Sequence, residues 1–329
     1  MKALISPLAI APMVDWTYTH CRVFMRILAS KALLYTDMHT VGALFNNPRR
    51  VLDFESMEKP LALQLGGSDA DKLRVGAQQA EAHDFDEINL NLGCPSDRVQ
   101  SGGFGACLMS EPKTVVSCIR AMKQGTVLPV TAKLRLGIDH EDSYEFFSSF
   151  AYQLVDAGCD KLIVHARKAW LQGLSPKENR TVPPVQYEFV YRLKESLPTV
   201  PVVINGNIQD LLSIQTHLQY VDGVMLGRLA CQNPYEIALI HHALFPDDPL
   251  ISRVDALKQY AVHVQAMSQR GIPLSVLLKP ILNLAHGLPS ARLWKAKLLN
   301  IKPGEDVFGW DEALSLLNSL EKMAFTADF

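Results

Sequence analysis

The sequence predicts an α/β fold, a closed (β/α)8 TIM barrel followed by a small all-α helical bundle. Eight short apolar or β-branched runs recur between residues 8 and 227, and segments of helical periodicity separate most of them. After Pro246 the strand-like runs stop and only helical periodicity remains. At 329 residues the chain is long enough for a barrel and one smaller domain. We therefore expect a barrel domain over residues 1–245 and a helical domain over residues 246–329.

The eight runs have the length and composition of strands in a parallel sheet. Each has four or five residues and is rich in apolar or β-branched side chains, as expected for strands covered on both faces. Proline or glycine punctuates several of their ends, at Pro12, Gly206 and Gly227. In chain order the predicted strands are LAIAP (8–12), LLYTD (33–37), LALQL (61–65), EINLN (87–91), VTAKL (130–134), KLIVH (161–165), VVIN (202–205) and GVMLG (223–227).

Helical periodicity appears between the strands and dominates the C-terminal part. The segments DADKLRVGAQQAEAH (69–83) and DSYEFFSSFAYQLVDAG (142–158) place apolar side chains three and four residues apart, so each predicts a helix with one buried face. Beyond the linker DDPLISRV (247–254), neighbouring glycines and prolines delimit four helices. Their predicted ranges are 254–269, 274–285, 290–299 and 310–323.

The composition argues against several functional classes. With 48% hydrophobic residues and no apolar run long enough to span a membrane, the chain is typical of a globular protein. The net charge of −2 argues against nonspecific coating of nucleic acid, although it allows a local basic face. The apolar N-terminal stretch is interrupted by Pro7, so we expect no signal peptide and a cytoplasmic location. We also expect a monomer. The six cysteines show no C-x-x-C pair, so we expect free thiols and no metal.

Polar residues recur at the carboxyl ends of the predicted strands. In a barrel all of these ends open on one face, which is the face where barrel enzymes build their sites. A single polar residue at a strand end is usually only solvated, but six or more together indicate a pocket. The candidate lining is Pro12 with Met13, Gln64, Asn91 with Cys94, Lys133, His165, Asn205, and Gly227 with Arg228.

Four of these ends suit a phosphorylated cofactor or a carbonyl substrate. The chain continues from strands seven and eight into Gly206 and Gly227-Arg228, where glycine lets a ligand approach the backbone and arginine can pair with an anion. Lys133 needs a negative partner in an apolar barrel. It can stabilise the charge at the N1/C2 edge of a reduced flavin, or it can form a Schiff base as in a barrel aldolase. His165 fits both cases, as a hydrogen-bond donor or as a general base.

Cys94 lies three residues after the strand EINLN (87–91) and precedes Pro95, which cannot continue a strand. A thiol at its reference pKa of about 8.5 is mostly protonated at neutral pH, so it can donate a proton, or attack when ionised. The glycines that follow, between residues 102 and 105, predict a loop that can move over a bulky substrate. Cys107 lies beyond this loop and is the weaker candidate.

Two basic clusters carry an interleaved tryptophan. RKAWLQGLSPKENR (167–180) contains Arg167, Lys168, Lys177 and Arg180 around Trp170. SARLWKAKLLNIK (290–302) contains Arg292, Lys295, Lys297 and Lys302 around Trp294. Basic residues around an aromatic ring suit phosphate contact combined with base stacking. One cluster in each predicted domain favours a shared polyanion, such as an RNA, that contacts both.

Six sequence blocks resemble those of a known family, the tRNA-dihydrouridine synthases. The blocks occur in the family's order from about Ile10 to Pro234, and HARKAWLQGLSPKENR (165–180) resembles the A-type bacterial subfamily in particular. They are LALQLGGSD (61–69), LNLGCPS (90–96), VTAKLRLG (130–137), LIVHARKAWLQGLSPKENR (162–180), INGNI (204–208) and DGVMLGR (222–228).

The resemblance implies an FMN-binding barrel followed by a helical tRNA-binding domain. It implies that NADPH reduces the flavin, which then reduces the C5=C6 bond of a uridine in tRNA, at positions 20 and 20a of the D-loop in this subfamily. Cys94 would be the general acid, Asn91 would contact the target base, and Lys177 and Arg180 would contact the RNA. FMN would be held by Ala11, Pro12, Met13, Gln64, Lys133, His165, Asn205, Gly206, Asn207, Gly227 and Arg228. Where the family usually shows Asn-Gly-Gly, this chain has Asn205-Gly206-Asn207, so the third position needs a non-glycine conformation or a left-handed asparagine.

Three other interpretations stay open from the residues. A flavin barrel acting on a free pyrimidine or a small enone would need no basic clusters. A Schiff-base aldolase would use Lys133 without a flavin. A noncatalytic RNA-binding protein could keep the fold without using Cys94.

Overall fold

The computed structural model describes residues 6–300 and 308–327, and its strands form one parallel sheet. Within this part of the chain the strands are β1 Leu8–Ile10, β2 Leu33–Tyr35, β3 His39–Thr40, β4 Leu61–Gly66, β5 Glu87–Leu92, β6 Val130–Arg135, β7 Lys161–His165, β8 Val202–Asn205 and β9 Gly223–Leu226.

Eight of these strands close into a barrel. β1, β2, β4, β5, β6, β7, β8 and β9 pair in parallel in that order, and β9 pairs again with β1. The short β3 pairs with the carboxyl end of β4, outside the closed ring. The predicted (β/α)8 barrel is therefore confirmed, and each of the eight predicted runs is one of its strands.

The helices lie in chain order between and after the strands. Their bounds are α1 Thr19–Leu28, α2 Val41–Asn46, α3 Pro48–Leu52, α4 Ala70–Ala82, α5 Asp97–Ser101, α6 Pro112–Gly125, α7 Tyr144–Asp156, α8 Tyr187–Ser196, α9 Leu211–His217, α10 Arg228–Gln232, α11 Pro234–Leu244, α12 Arg253–Gln269, α13 Leu274–Leu278, α14 Ala291–Leu299 and α15 Phe308–Ala327. Short 3₁₀ segments cover Ser56–Glu58, Gly105–Ser110, Glu178–Arg180 and Lys279–Ile281.

The chain divides into two compact units, and each unit consists of two separate stretches of the sequence. The barrel unit takes the described residues up to Asp15 together with Ala32–Gly227, and the helical unit takes Trp16–Lys31 together with the described residues from Arg228 onward. Helix α1 belongs to the helical unit because its apolar face packs on α11 and α12, where the rings of Phe24 and Tyr260 lie 5.1 Å apart. Sequence periodicity predicts that a helix buries one face, but it does not predict which other helices that face packs against.

One predicted helix of the helical unit is interrupted in the structure. The predicted helix 274–285 ends at Leu278 and continues as the 3₁₀ segment Lys279–Ile281, because Pro280 has no N–H group to donate. Trp294 is fully buried, and its indole N–H donates to the carbonyl of Ile281 at 3.0 Å. Lys302 and the predicted break at 303–304 lie outside the described residues.

None of the described helices has the length and apolar character needed to cross a membrane.

The barrel interior has an apolar part and a polar part. An apolar cluster consists of Ala9, Ala11, Leu33, Tyr35, Ala62, Ile163, Val203 and Met225. A second set, on β4 to β7, is polar and at most 1% exposed: Gln64, Glu87, Asn89, Thr131 and Lys161. Polar side chains buried this deeply need hydrogen-bond partners inside the barrel, because bulk solvent does not reach them.

Candidate active site

The strand pairing brings polar strand-end residues together at one mouth of the barrel. Asn91 on β5 is the register partner of Lys133 on β6, and His165 on β7 is the register partner of Asn205 on β8. The Lys133 ammonium donates to Asn205 Oδ1 at 3.0 Å, which spans from β6 to β8. These four residues, widely separated in sequence, therefore form one cluster.

Lys133 is a half-buried amine whose hydrogen-bond partner is a neutral amide. Among the described residues, no carboxylate lies within salt-bridge distance of its ammonium, and its hydrogen-bond partner is the neutral Asn205 amide. Desolvation in the barrel lowers the pKa of Lys133 to about 7, with the nearby Arg135 lowering it further. A site of this kind favours an anionic ligand, because such a ligand stabilises the charged form of the amine.

Cys94 lies on the loop after β5, half-buried, next to the strand that carries Lys133. Its backbone N–H donates to Asn91 Oδ1 at 3.0 Å, and its carbonyl accepts from the Ala106 N–H at 2.9 Å. Its sulfur lies 3.5 Å from the hydroxyl of Ser96. Gly105 has a φ of +80°, and a Cβ there would lie 2.6 Å from the Cys94 carbonyl oxygen. This glycine is therefore required for the close approach of the two ends of the loop.

Arg135, which the sequence interpretation missed, joins the Cys94 loop to the loop after β7. The side chain is 3% exposed, and its guanidinium donates to the carbonyls of Gly93 at 3.0 Å, Lys168 at 3.0 Å and Asn179 at 2.8 Å. Burial lowers the pKa of Arg135 to about 10. Arg135 follows Lys133 by two residues and so lies on the same face of β6. The alternation of side chains along β6 could therefore have identified Arg135 from the sequence.

The turn after β8 has two consecutive residues with positive φ, Gly206 at +119° and Asn207 at +56°. Asn207 thus adopts the left-handed conformation that asparagine tolerates. This is the second of the two conformations that the sequence analysis allowed at this position. The Tyr187 hydroxyl donates to the Gly206 carbonyl at 2.8 Å and holds the turn. A Cβ on Gly206 would lie 2.6 Å from Cδ2 of His165. The turn therefore lies directly against a second predicted cofactor residue.

Replacing Gly206 by alanine is expected to destabilise the protein by about 1–3 kcal/mol, because an alanine is strained at this φ and its Cβ displaces His165. Asn207→Gly is the matched control, since glycine adopts a φ of +56° without strain. Chemical denaturation of the two variants gives the comparison, and titration with FMN reports on the turn itself. Equal stability of Gly206→Ala and the wild type would contradict the argument.

The remaining predicted cofactor residues fall into two groups. Ala11 is buried and its N–H donates to Leu226 at 2.8 Å, Pro12 is half-buried, and Met13 packs on the apolar cluster. A Cβ on Gly227 would lie 3.8 Å from both Ala11 and Met13, so these residues adjoin. Arg228 is instead the first residue of α10 and belongs to the helical unit.

The basic cluster 167–180 is only partly available to a partner. Lys177 and Arg180 are exposed. Arg167 is buried and donates to the Pro183 carbonyl. Lys168 pairs with Asp142 at 2.6 Å and lies over the Trp170 ring at 4.3 Å. Arg167 and Lys168 therefore stabilise the loop itself. The sequence alone did not distinguish these two basic residues from the exposed Lys177 and Arg180.

The cluster 290–302 is divided in a similar way. Arg292 and Lys295 are exposed and line a cavity of about 130 Å³ together with His286. Lys297 pairs with Glu312 of α15. Base stacking on Trp294 was expected from the sequence, and this expectation was wrong because the ring is in the core of the helical unit.

Within residues 6–300 and 308–327, no group of three or more His, Cys, Asp or Glu side chains could hold a metal ion.

Comparison with known proteins gives extensive similarity. The family model described as "Dihydrouridine synthase (Dus)" matches residues 9–320. A Xanthomonas campestris protein is 49% identical over 307 residues, covering 92% of this chain and 90% of its own. A Yersinia pestis protein is 45% identical over 314 residues, covering 94% and 91%, and a Shewanella oneidensis protein is 48% identical over 298 residues, covering 90% and 89%. Each of the three bears the name tRNA-dihydrouridine(20/20a) synthase.

Proposed function

The chain belongs to the dihydrouridine synthase family, and on that premise we propose that it reduces uridines 20 and 20a of tRNA to 5,6-dihydrouridine, with bound FMN and with NADPH as electron donor. The observation that carries the proposal is the position of Cys94 on the loop beside Lys133, in a chain that matches the family over residues 9–320. The similar proteins from three bacteria, named for this reaction, support the choice of substrate.

The residues at the barrel mouth fit an anionic flavin. Lys133 is a half-buried cation without a carboxylate partner among the described residues, so the negative N1/C2 edge of a reduced flavin would complete its environment. The turn at Gly206 and Asn207 offers backbone N–H groups where the family holds phosphate. Ala11, Met13 and Gly227 adjoin one another and would cover a ring. Gln64 bonds Asn89 and Asn91 through its amide, which leaves one N–H and one oxygen lone pair that could contact a flavin.

The chain's own residues would bind, orient and protonate the substrate. Reduced FMN, when bound, supplies the hydride that adds to C6 of the base. Cys94 then donates its thiol proton to C5, and solvent reprotonates the thiolate. Arg135 and Asn91 hold the backbone of the Cys94 loop, so that the sulfur keeps one position. The target base is buried in folded tRNA and has to swing out to reach this thiol.

The proposal is tested by incubating the purified protein with unmodified tRNA and NADPH and mapping dihydrouridine by mass spectrometry. We expect the modification at positions 20 and 20a, and its absence there would overturn the proposal. Turnover of free uridine or a small enone without tRNA would favour the simpler flavin reductase. Covalent trapping of Lys133 on a carbonyl compound by borohydride, in a protein without flavin absorption bands, would favour the aldolase.

Replacing Lys133 by methionine is expected to stabilise the protein without flavin by about 2–4 kcal/mol near pH 7 while weakening FMN binding. The pKa of Lys133 falls from 10.5 to about 7 on folding, so the unfolded chain binds more protons between these two values. Stability of the wild type without flavin should therefore rise with pH across this window, and Lys133→Met should lack that part of the rise. Denaturation at several pH values and FMN titration check both effects. A less stable Lys133→Met protein would contradict the desolvation argument.

Replacing Lys177, Arg180 or Arg292 by alanine is expected to weaken tRNA binding because each side chain is exposed and cationic. The slope of log affinity against log salt should fall by about 1 for each phosphate that the variant no longer binds. Lys113→Ala is the control, since Lys113 is an exposed lysine on α6 outside both clusters. Binding is measured over a salt series, and NADPH oxidation with an artificial acceptor should persist. Equal effects of Lys113→Ala and the cluster variants would argue against specific contacts.

A further inference from the structure

A continuous ladder of side-chain hydrogen bonds runs through the polar part of the barrel to the Cys94 loop. Thr131 donates to Glu87 Oε1 at 2.6 Å and accepts from Asn89 Nδ2 at 2.8 Å. Asn89 Oδ1 accepts from Gln64 Nε2 at 2.7 Å, and Gln64 Oε1 accepts from Asn91 Nδ2 at 2.8 Å. Four members of the ladder are 0% exposed and Asn91 is 8% exposed, so water does not compete along it.

The upper end of the ladder is the Asn91 side-chain oxygen. This oxygen accepts the backbone N–H groups of Gly93 at 3.2 Å and of Cys94 at 3.0 Å. Only the oxygen end of the amide can accept them. If the amide were rotated by half a turn, its NH₂ group would face two N–H donors and neither bond to the loop could form.

The lower end of the ladder gives it a direction. The Glu87 carboxyl group accepts from three donors: the Tyr35 hydroxyl at 2.6 Å, the Thr131 hydroxyl and the Lys161 ammonium. The one hydrogen of the Thr131 hydroxyl has Glu87 Oε1 as its near acceptor at 2.6 Å and the Ile88 carbonyl as a distant one at 3.4 Å, so the hydroxyl oxygen is left to accept from Asn89. Asn89 must then present its oxygen to Gln64, and Gln64 its oxygen to Asn91. The carboxylate thus determines, through three amides, which end of Asn91 faces Cys94.

We propose that Thr131 is a positioning residue for Cys94: its hydroxyl transmits the orientation imposed by Glu87 through Asn89, Gln64 and Asn91 to the backbone of the catalytic loop. This inference rests on the proposed role of Cys94 as the proton donor. Thr131 lies on β6, two residues before Lys133, and its side-chain hydrogen bonds go to Glu87, Asn89 and the Ile88 carbonyl rather than to Cys94. Its effect on the reaction is therefore indirect, through the position of the sulfur.

The test compares Thr131→Val, which keeps the shape and removes the hydroxyl, with Thr131→Ser, which keeps the hydroxyl and removes a methyl group. Both are made in the full flavin-loaded protein. Three quantities are measured: kcat and KM with tRNA, FMN content, and the rate at which iodoacetamide alkylates Cys94, followed by mass spectrometry of its peptide. The alkylation rate reports on the loop independently of turnover.

For Thr131→Val we expect kcat to fall about tenfold or more, since small misplacements of a reacting group have effects of this size. KM for tRNA should stay within about twofold, because RNA binding is unchanged. FMN should be retained and Cys94 alkylation should change severalfold. Thr131→Ser should restore kcat and the alkylation rate to near wild-type values. If Thr131→Val does not fold, Thr131→Ala makes the same comparison.

Two results would overturn the proposal. One is wild-type kcat and alkylation in Thr131→Val, which would mean that the hydroxyl does not position the loop. The other is equal impairment in the Ser and Val variants, which would assign the effect to packing. Failure of the acid role is separable from both: Cys94→Ala would then keep its turnover, while the alkylation rates would still report on the ladder.

Discussion

Cys94→Ala is expected to lower tRNA turnover by about 10²–10⁴-fold while the protein keeps its flavin, because general acid catalysis contributes a factor of this size. The side chain is half-buried on a loop held by Asn91 and Arg135, and the alanine Cβ occupies the same position. Among the described residues, the hydrogen bond of the sulfur is its 3.5 Å approach to Ser96, so the fold should tolerate the change. Flavin absorbance and dihydrouridine formation, measured on the same preparation, separate loss of the acid from loss of the cofactor.

Cys107→Ala is the matched control for this prediction. Cys107 is also half-buried, lies thirteen positions further along the same segment, and donates from its sulfur to the Phe104 carbonyl at 3.1 Å. Its replacement should leave turnover within about twofold of the wild type. Normal turnover in Cys94→Ala would remove the acid role, whereas equal loss in both variants would indicate a general disturbance of the segment between β5 and α6.

Lys161→Met is expected to lower the free energy of unfolding by about 3–5 kcal/mol, because it leaves a buried carboxylate without its cation. Lys161 and Glu87 form an ion pair whose side chains are 2% and 0% exposed. Methionine fills the space of the lysine, but the donors left to the Glu87 carboxylate among the described residues are the hydroxyls of Tyr35 and Thr131. An uncompensated buried charge is far more costly than the loss of a surface pair. Chemical denaturation monitored by circular dichroism measures the change.

A second substitution distinguishes a buried charge from impaired packing. In the double variant Glu87→Gln and Lys161→Met the unpaired charge is removed, so most of the stability should return. Lys72→Met, which removes one partner of the exposed pair with Asp69, should leave the denaturation midpoint nearly unchanged. A double variant as unstable as Lys161→Met would mean that packing, not the charge, causes the destabilisation.

Most of the barrel and of its mouth could be predicted from sequence. Each strand is a short local run, and its side chains alternate between two faces, so its position and its carboxyl end follow from a few neighbouring residues. The candidate residues Asn91, Lys133, His165 and Asn205 were found because a closed parallel barrel brings all such ends to one mouth. Arg135 was missed although it follows Lys133 at the spacing that the same alternation predicts.

Other features depended on partners that the sequence does not identify. Arg167 and Lys168 looked like RNA ligands, but the fold supplies the Pro183 carbonyl and Asp142 as their partners. Trp294 looked like a stacking surface and is instead fully buried. A basic or aromatic residue has the same sequence signature whether it faces solvent or the core, because burial depends on segments far along the chain.

By itself the sequence determined the class of fold, the order of the strands, and a thiol at the end of the fourth predicted run, since these follow from local periodicity and punctuation. Only the tertiary structure decided which polar residues inside the barrel are bonded to one another. Thr131 and Glu87 are 44 residues apart, and Lys161 and Glu87 are 74 apart, yet each pair is in direct contact. The direction of the hydrogen bonds that hold Cys94 arises from such contacts, which exist only once the barrel has closed.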